Sequence, residues 1–313
     1  MSSWNTIESD AGVFTELVEK LGVTGVEFEE LLSIDADSLR AVGKLYGAIF
    51  LFKYRASEFE RTRSSGGPLD GEYSTADPTV FFAQQTIQNA CATQAVLSIL
   101  LNRPDLALGD TLADFKEFVD SCGQDAELKG DMISNHDVIR EVHNSFSRPS
   151  PFVDESDDRP HDEDSDGLYH FIAYVPVNGV LYELDGLHTS PISHGPCSDA
   201  EFPAKLSDVL MRRVQRGPEG EMRFNLVALT QDKREVYRNL GDSEGLAREE
   251  AKRAEWAREN ILRRENFVGL IYDLIKSTAA NMSSQEFENK LQAARQESRR
   301  RIQQYQKQKA SAT

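Results

Sequence analysis

The chain has 313 residues, 39% of them apolar, which is enough for one large domain with its own core and a smaller one beside it. Its 52 acidic residues against 35 basic ones give a net charge of −17, which argues against a nucleic-acid binder and favours a basic partner. Three cysteines without CxxC spacing fit a reduced compartment better than a disulfide framework or a metal site, and neither a targeting segment nor an 18-residue apolar stretch is present, so a soluble protein without metal or membrane contact is expected.

In chain order, residues 10–22 set Val13, Leu17 and Leu21 at helical spacing and stop at Gly22, which predicts a helix. The mixed acidic and apolar stretch from Val26 to Leu32 follows, then the apolar run from Val42 to Phe52. Gly66-Gly67-Pro68 and Asp77-Pro78 are turns leading into Thr79–Ala83, a short segment that delivers Gln85 to the next element. There a lone cysteine, Cys91, opens a stretch in which Ala92, Ala95, Val96, Leu97, Ile99, Leu100 and Leu101 cover nearly every helical face. Asn102-Arg103-Pro104 ends that buried helix. A thiol in the first turn of such a helix meets free N–H groups and the positive end of the dipole, which favours the thiolate. The same cysteine among alanines also suits a small buried apolar side chain, so its partners must decide.

Residues 110–146 predict amphipathic helices around Leu112, Phe115, Phe118, Ile133, Ile139 and Val142. His136 and His143 lie seven apart on that pattern and read as surface or capping residues, since no carboxylate or cysteine set converges on them. Ser145–Gly167 holds eight acidic residues against Arg148 and Arg159, too polar to bury its own core. Ending three residues before His170, it must lie beside the strand that follows.

Tyr169–Val177, the dipeptide Asn178-Gly179 and Val180–Asp185 form a hairpin signal around a type I′ turn. Pairing Val177 with Val180 and counting back puts His170, Ile172 and Asp185 on one face, with His170 and Asp185 as diagonal neighbours. Imidazole plus carboxylate is the base and orienter that a cysteine nucleophile requires; a strand-edge ion pair serving stability alone is the rival reading. His188 and His194, in the loop after the hairpin, read as exposed, and Cys122 and Cys197 have no base near them in sequence. Asp199–Arg216 predicts a helix and Met222–Leu229 a last core strand. After Leu229 charged residues dominate, and a long exposed helix from Leu246, an apolar-faced helix at Phe267–Lys276 and a basic end with Arg299, Arg300, Arg301, Lys307 and Lys309 are expected.

Gln85 six residues before Cys91, the block Asn89–Ala95, the block His170–Gly179 and Tyr182–Leu187 together resemble the ubiquitin C-terminal hydrolases, papain-like cysteine proteases of the deubiquitinase class. The resemblance implies an α/β (α+β) papain-like fold with a central antiparallel sheet flanked by helices, plus an α-helical C-terminal extension. It implies Cys91 as nucleophile, His170 as general acid and base, Asp185 as the residue orienting it and Gln85 as oxyanion-hole donor, with no cofactor. The acidic stretch 145–167 would then be the loop crossing the active site, under which ubiquitin's basic tail threads. Glu259–Arg264 with the Phe267–Lys276 helix resembles the extension of the proteasome-associated member of the family. The expectation is therefore a catalytic domain at 1–230 that hydrolyses the bond after the C-terminal glycine of ubiquitin in ubiquitin conjugates. A helical recruitment domain at 231–313 would contact a proteasome ubiquitin receptor, in cytoplasm and nucleus. The alternative is a ubiquitin-binding scaffold without catalysis, which the intact set of four residues disfavours.

Overall fold

In the computed structural model, which describes residues 4–53, 67–74, 77–87, 89–147, 169–216 and 224–311, the apolar runs at 42–52 and 169–177 hold strands, Leu45–Lys53 and Tyr169–Val177, that are covered on both faces along most of their length. That is why they read as near-continuous hydrophobic sequence instead of alternating. The elements are α1 (Ala11–Lys20), β1 (Val26–Leu31), α2 (Ala36–Ala41), β2 (Leu45–Lys53), β3 (Glu72–Tyr73), α3 (Cys91–Leu100), α4 (Gly109–Ser121), α5 (Ala126–Asn135) and α6 (Asp137–Asn144). After these come β4 (Tyr169–Val177), β5 (Val180–Leu184), β6 (Ile192–Pro196), α7 (Phe202–Arg216), β7 (Phe224–Gln231), α8 (Lys233–Leu240), α9 (Ser243–Arg264), α10 (Val268–Ala280) and α11 (Ser284–Ser311).

Among the described residues the strands form one seven-stranded antiparallel sheet in the order β1-β7-β2-β4-β5-β6-β3. Phe171, Ala173 and Val175 of β4 face a core shared with α1 and α3, whereas Ile172 and Tyr174 face a second core with α2 and α7. The fold is thus α+β, a central antiparallel sheet flanked by helices with a helical C-terminal region, as the sequence led us to expect. The hairpin register also agrees, since Val177 pairs with Val180 and Ala173 with Leu184. Its turn residues Asn178 and Gly179 both take positive φ, 50° and 78°, as a type I′ turn requires.

The charged region after Leu229 holds the expected long helix and the apolar-faced one after it, but also a helix at Lys233–Leu240 that was not expected, and the long helix is packed on the sheet-bearing unit along one side. Gly241, with φ of 69°, ends α8, and α9 then packs on α1, where Asn260 is buried and donates to the Gly12 carbonyl at 3.1 Å. By contacts the chain divides into two units, the first running through Arg264 and the second comprising Glu265–Thr313. Within the second unit α10 leaves Leu270, Ile271, Tyr272, Leu274 and Ile275 exposed.

Candidate active site

α3 begins at Cys91 itself. Its N-cap residue is Ala90, which offers no side chain to the first-turn N–H groups, and every residue from Ala92 to Leu100 is buried while Cys91 is half-buried. The predicted all-round burial and the placement of the thiol at the open, positive end of the helix are both observed. The other two thiols differ. Cys197 is buried and its thiol is pushed up to about 11 by that burial, which disfavours the reactive thiolate. Cys122 caps the end of α4, with Ser121 beside it.

His170 lies at the start of β4, opposite Phe52 of β2, and its ring stands edge-on to that of Phe52 at 6.0 Å. Its Nε2 is 2.6 Å from Asp185 Oδ1, and both side chains are buried. A carboxylate only accepts, so Nε2 carries the hydrogen; Nδ1 is the nitrogen left for the Cys91 thiol, with which the imidazole also hydrogen-bonds. Burial pulls the His170 pKa down, but the neighbouring Asp185 carboxylate, with a smaller contribution from Cys91, outweighs it and holds the imidazolium up to about 9. Burial likewise acts against ionised Asp185 and is overcome by His170, so that its carboxyl sits below the ordinary range; the Leu187 N–H donates to the same oxygen at 2.9 Å. The residues singled out as base, orienter and nucleophile are therefore brought together.

Gln85 belongs to an irregular segment fixed from three sides. Its own N–H donates to the Gly186 carbonyl at 2.8 Å, just past Asp185; the Gln84 N–H donates to Ala126 of α5 at 2.8 Å; and Gln94 Nε2, one turn after Cys91, donates to the Ala83 carbonyl at 2.5 Å. Gly186 gives this junction its room, since a Cβ there would lie 2.3 Å from Gln94 Nε2, displacing its bond to Ala83, and 3.0 Å from Gln85 N. Gln94 and Gly186 thus tie the Gln85 segment to α3 and to the Asp185 loop, which sequence reasoning did not single out. The available signals were a polar residue inside an otherwise apolar helix and a glycine directly after the carboxylate.

Three histidine readings need correction. His136 caps α6, accepting from the Ile139 N–H, but His143 is fully buried and not at the surface. His194 is buried against Glu183 at 3.0 Å, and His188 is half-buried with Nδ1 2.9 Å from the Tyr73 hydroxyl, so neither is exposed. Each is covered with a polar partner on a ring nitrogen, from a distant segment for His143 and His188 and from the neighbouring strand for His194. The acidic stretch read as a crossover loop falls, apart from Ser145–Ser147, on residues outside those described. Among the described residues no group of three or more His, Cys, Asp or Glu is arranged to hold a metal, and no helix is long and apolar enough to cross a membrane.

Residues 4–215 match the family model described as ubiquitin carboxyl-terminal hydrolase, family 1, and residues 243–282 match a second one described as ubiquitin carboxyl-terminal hydrolases. The chain is 48% identical over 281 residues to ubiquitin carboxyl-terminal hydrolase 2 of Schizosaccharomyces pombe, covering 88% of this chain and 90% of that protein. It is 36% identical over 298 residues to ubiquitin carboxyl-terminal hydrolase ubh-4 of Caenorhabditis elegans, covering 88% of each. The crystal structure of Trichinella spiralis UCH37 bound to ubiquitin vinyl methyl ester superposes with a TM-score of 0.61 at 32% identity, over 84% of this chain and 100% of that one.

Proposed function

The chain belongs to the ubiquitin carboxyl-terminal hydrolases of family 1, cysteine-type ubiquitinyl hydrolases, and from that premise we propose that Cys91, His170, Asp185 and Gln85 carry out its reaction. The observation that carries this reading is the His170–Asp185 pair, 2.6 Å apart and buried, with its imidazole hydrogen-bonded to the thiol that opens α3. His170 takes the proton of the Cys91 thiol, Cys91 Sγ attacks the carbonyl carbon of ubiquitin's terminal glycine to form the C–S bond, and the carbonyl π electrons move onto its oxygen. The Gln85 side-chain amide and the N–H groups at the start of α3 stabilise that oxyanion, donors of a kind worth about 2.7–4 kcal/mol each in the transition state. As the oxyanion collapses, the bond to the leaving amine breaks and protonated His170 gives the amine its proton, leaving a thioester. His170 then takes a proton from water, whose oxygen attacks the thioester; breaking the C–S bond frees ubiquitin's carboxylate, and the Cys91 sulfur regains its starting state. Asp185 keeps the Nε2–H tautomer and stabilises the imidazolium throughout.

Reaction with ubiquitin bearing a C-terminal electrophile tests this directly. One adduct is expected, on Cys91, absent in Cys91→Ala and strongly slowed in His170→Ala. Labelling of Cys122 or Cys197 would overturn the assignment.

We further propose that residues 231–313 bring the enzyme to a ubiquitin receptor of the proteasome, in cytoplasm and nucleus. The exposed apolar residues of α10 and the family match over 243–282 support that reading. Removing 265–313 should then abolish co-purification with proteasomes while leaving cleavage of a small fluorogenic ubiquitin amide intact; retained co-purification would refute it.

A further inference from the structure

His143, fully buried, sits beside the start of α3 and takes no part in the chemistry above. Its Nε2 is 2.6 Å from the Asn5 carbonyl and its Nδ1 2.7 Å from Thr93 Oγ1, in the first turn of α3. The carbonyl can only accept, so Nε2 bears the hydrogen; the neutral ring has one N–H, so Nδ1 accepts and the Thr93 hydroxyl donates. The ring is kept neutral because burial drives its pKa down to about 4, against the pull of the Asn5 carbonyl.

The segment that His143 grips also holds the other side of the thiol. The Trp4 carbonyl accepts from Asn89 Nδ2 at 3.2 Å, and Asn89 has a left-handed φ of 69° two residues before Cys91. Asparagine is one of the few non-glycine residues that adopts this conformation readily, and its side-chain bond to Trp4 fixes the turn just ahead of Cys91. The Trp4 indole N–H donates to the Ser134 carbonyl at 3.2 Å, and the Ser134 hydroxyl pairs with that of Thr86 at 2.9 Å, next to Gln85. The Trp4 ring completes the arrangement by standing edge-on to His143 at 4.7 Å. Residues 4 and 5 are therefore fastened, directly or through one side chain, to Thr86 and Asn89 before the thiol and to Thr93 after it.

We propose that His143, with Thr93 and the Trp4-Asn5 segment, is a positioning element for the reaction, fixing the first turn of α3 relative to the Gln85 segment. None of these side chains touches the reacting atoms; they act through the placement of Cys91. The directional character of the contacts favours this role over packing alone. Replacing both members of a buried hydrogen-bonded pair by apolar groups of similar shape can be nearly neutral for stability, whereas directed bonds add to packing in holding a site to within a fraction of an ångström. A misplacement of about 1 Å can cost about 10²-fold in rate.

The proposal rests on Cys91 as nucleophile, and the experiment separates the two. In the full chain, Thr93→Val, Thr93→Ser and the double variant Thr93→Val/His143→Leu are compared with wild type by melting temperature, by kcat and KM on ubiquitin carrying a fluorogenic C-terminal amide, and by the rate of adduct formation with electrophilic ubiquitin. Thr93→Val should lower kcat about tenfold with KM within about twofold, and Thr93→Ser should restore it. The double variant leaves no unpaired buried nitrogen and frees only the carbonyl of exposed Asn5, which water can satisfy, so it should melt near wild type yet show the same loss of kcat, which decides the matter should Thr93→Val alone fold poorly. A wild-type kcat in the folded double variant would overturn the positioning role. A wild-type adduct on a residue other than Cys91 would instead overturn the nucleophile assignment, whatever the Thr93 variants do.

Discussion

At His170 burial and charge pull in opposite directions, and the outcome governs how the enzyme responds to pH. Burial favours the neutral ring; Asp185 at 2.6 Å favours the imidazolium and wins, raising the pKa from 6.5 to about 9. A histidine raised in the folded state contributes stability that is fully present below pH 6.5 and is lost as pH climbs through about 9. The wild-type denaturation midpoint should therefore fall between pH 6.5 and 9. In Asp185→Asn the carboxylate's pull is gone while that of Cys91 remains against burial, so the pKa falls from about 9 and the decline should shrink and begin at lower pH. The alkaline limb of kcat/KM, near pH 9 in wild type, should move to lower pH with a loss of about 10²-fold or more. An unmoved alkaline limb in Asp185→Asn would show that another group controls it. Cys91, His170 and Asp185 were legible in the sequence because a helix start and a two-residue turn are local signals from which positions can be counted. His143 was not, because the groups that make its burial tolerable, Asn5 and Thr93, lie 138 and 50 residues away.

α5 shows what one residue inside an element can decide. Gly130 lies within that helix, where glycine costs roughly 0.5–1 kcal/mol relative to alanine, so it needs a compensating reason. A Cβ at this position would lie 1.9 Å from the Gln84 carbonyl oxygen and 3.1 Å from Thr86 Cγ2. The obstacle is backbone on the segment that bears Gln85, so it cannot swing aside as a flexible side chain would. Gly130→Ala should therefore lower the melting temperature, despite its better helix propensity, and reduce kcat by about tenfold through displacement of Gln85. A higher melting temperature with unchanged kcat would mean that the segment yields freely. Strands with continuous apolar sequence and helices with one apolar face were legible from the order of residues alone. That α5 approaches residues 84–86 closely enough to exclude a methyl group was not, since the pattern of a helix records which face is buried and says nothing of how close the neighbour stands.

Over the whole molecule a net charge of −17 conceals a seam where charge is matched across a long sequence separation. Glu27 of β1 is completely buried, and α9 supplies its partners, Lys252 Nζ at 3.1 Å and Arg253 at 3.3 Å. Burial raises the Glu27 pKa above its ordinary value even so, with both cations acting to lower it. Farther along the same helix, Asn260 reaches Gly12 and Glu16 of α1, and Arg263 pairs with Asp10 at 2.8 Å. Trp256 fits against α1 only because residue 12 is glycine, where a Cβ would stand 2.7 Å from a Trp256 ring carbon. The change of composition at Leu229 reflects how polar the next helices are, but the acids waiting for those cations lie more than 200 residues upstream. Ending the chain after residue 230 removes both partners of Glu27 and uncovers α1. Stranding one member of a buried ion pair costs about 3–5 kcal/mol, which for a unit of this size lowers the melting temperature by about 10 °C or more. Ending it after Arg264 keeps every contact named above. Residues 1–264 should therefore melt close to the full chain and hydrolyse the small fluorogenic substrate at a similar rate, whereas residues 1–230 should be markedly less stable and expose apolar surface to dye. Equal stability of the two truncations would show that α8 and α9 are an appendage and that the catalytic domain ends at the composition change.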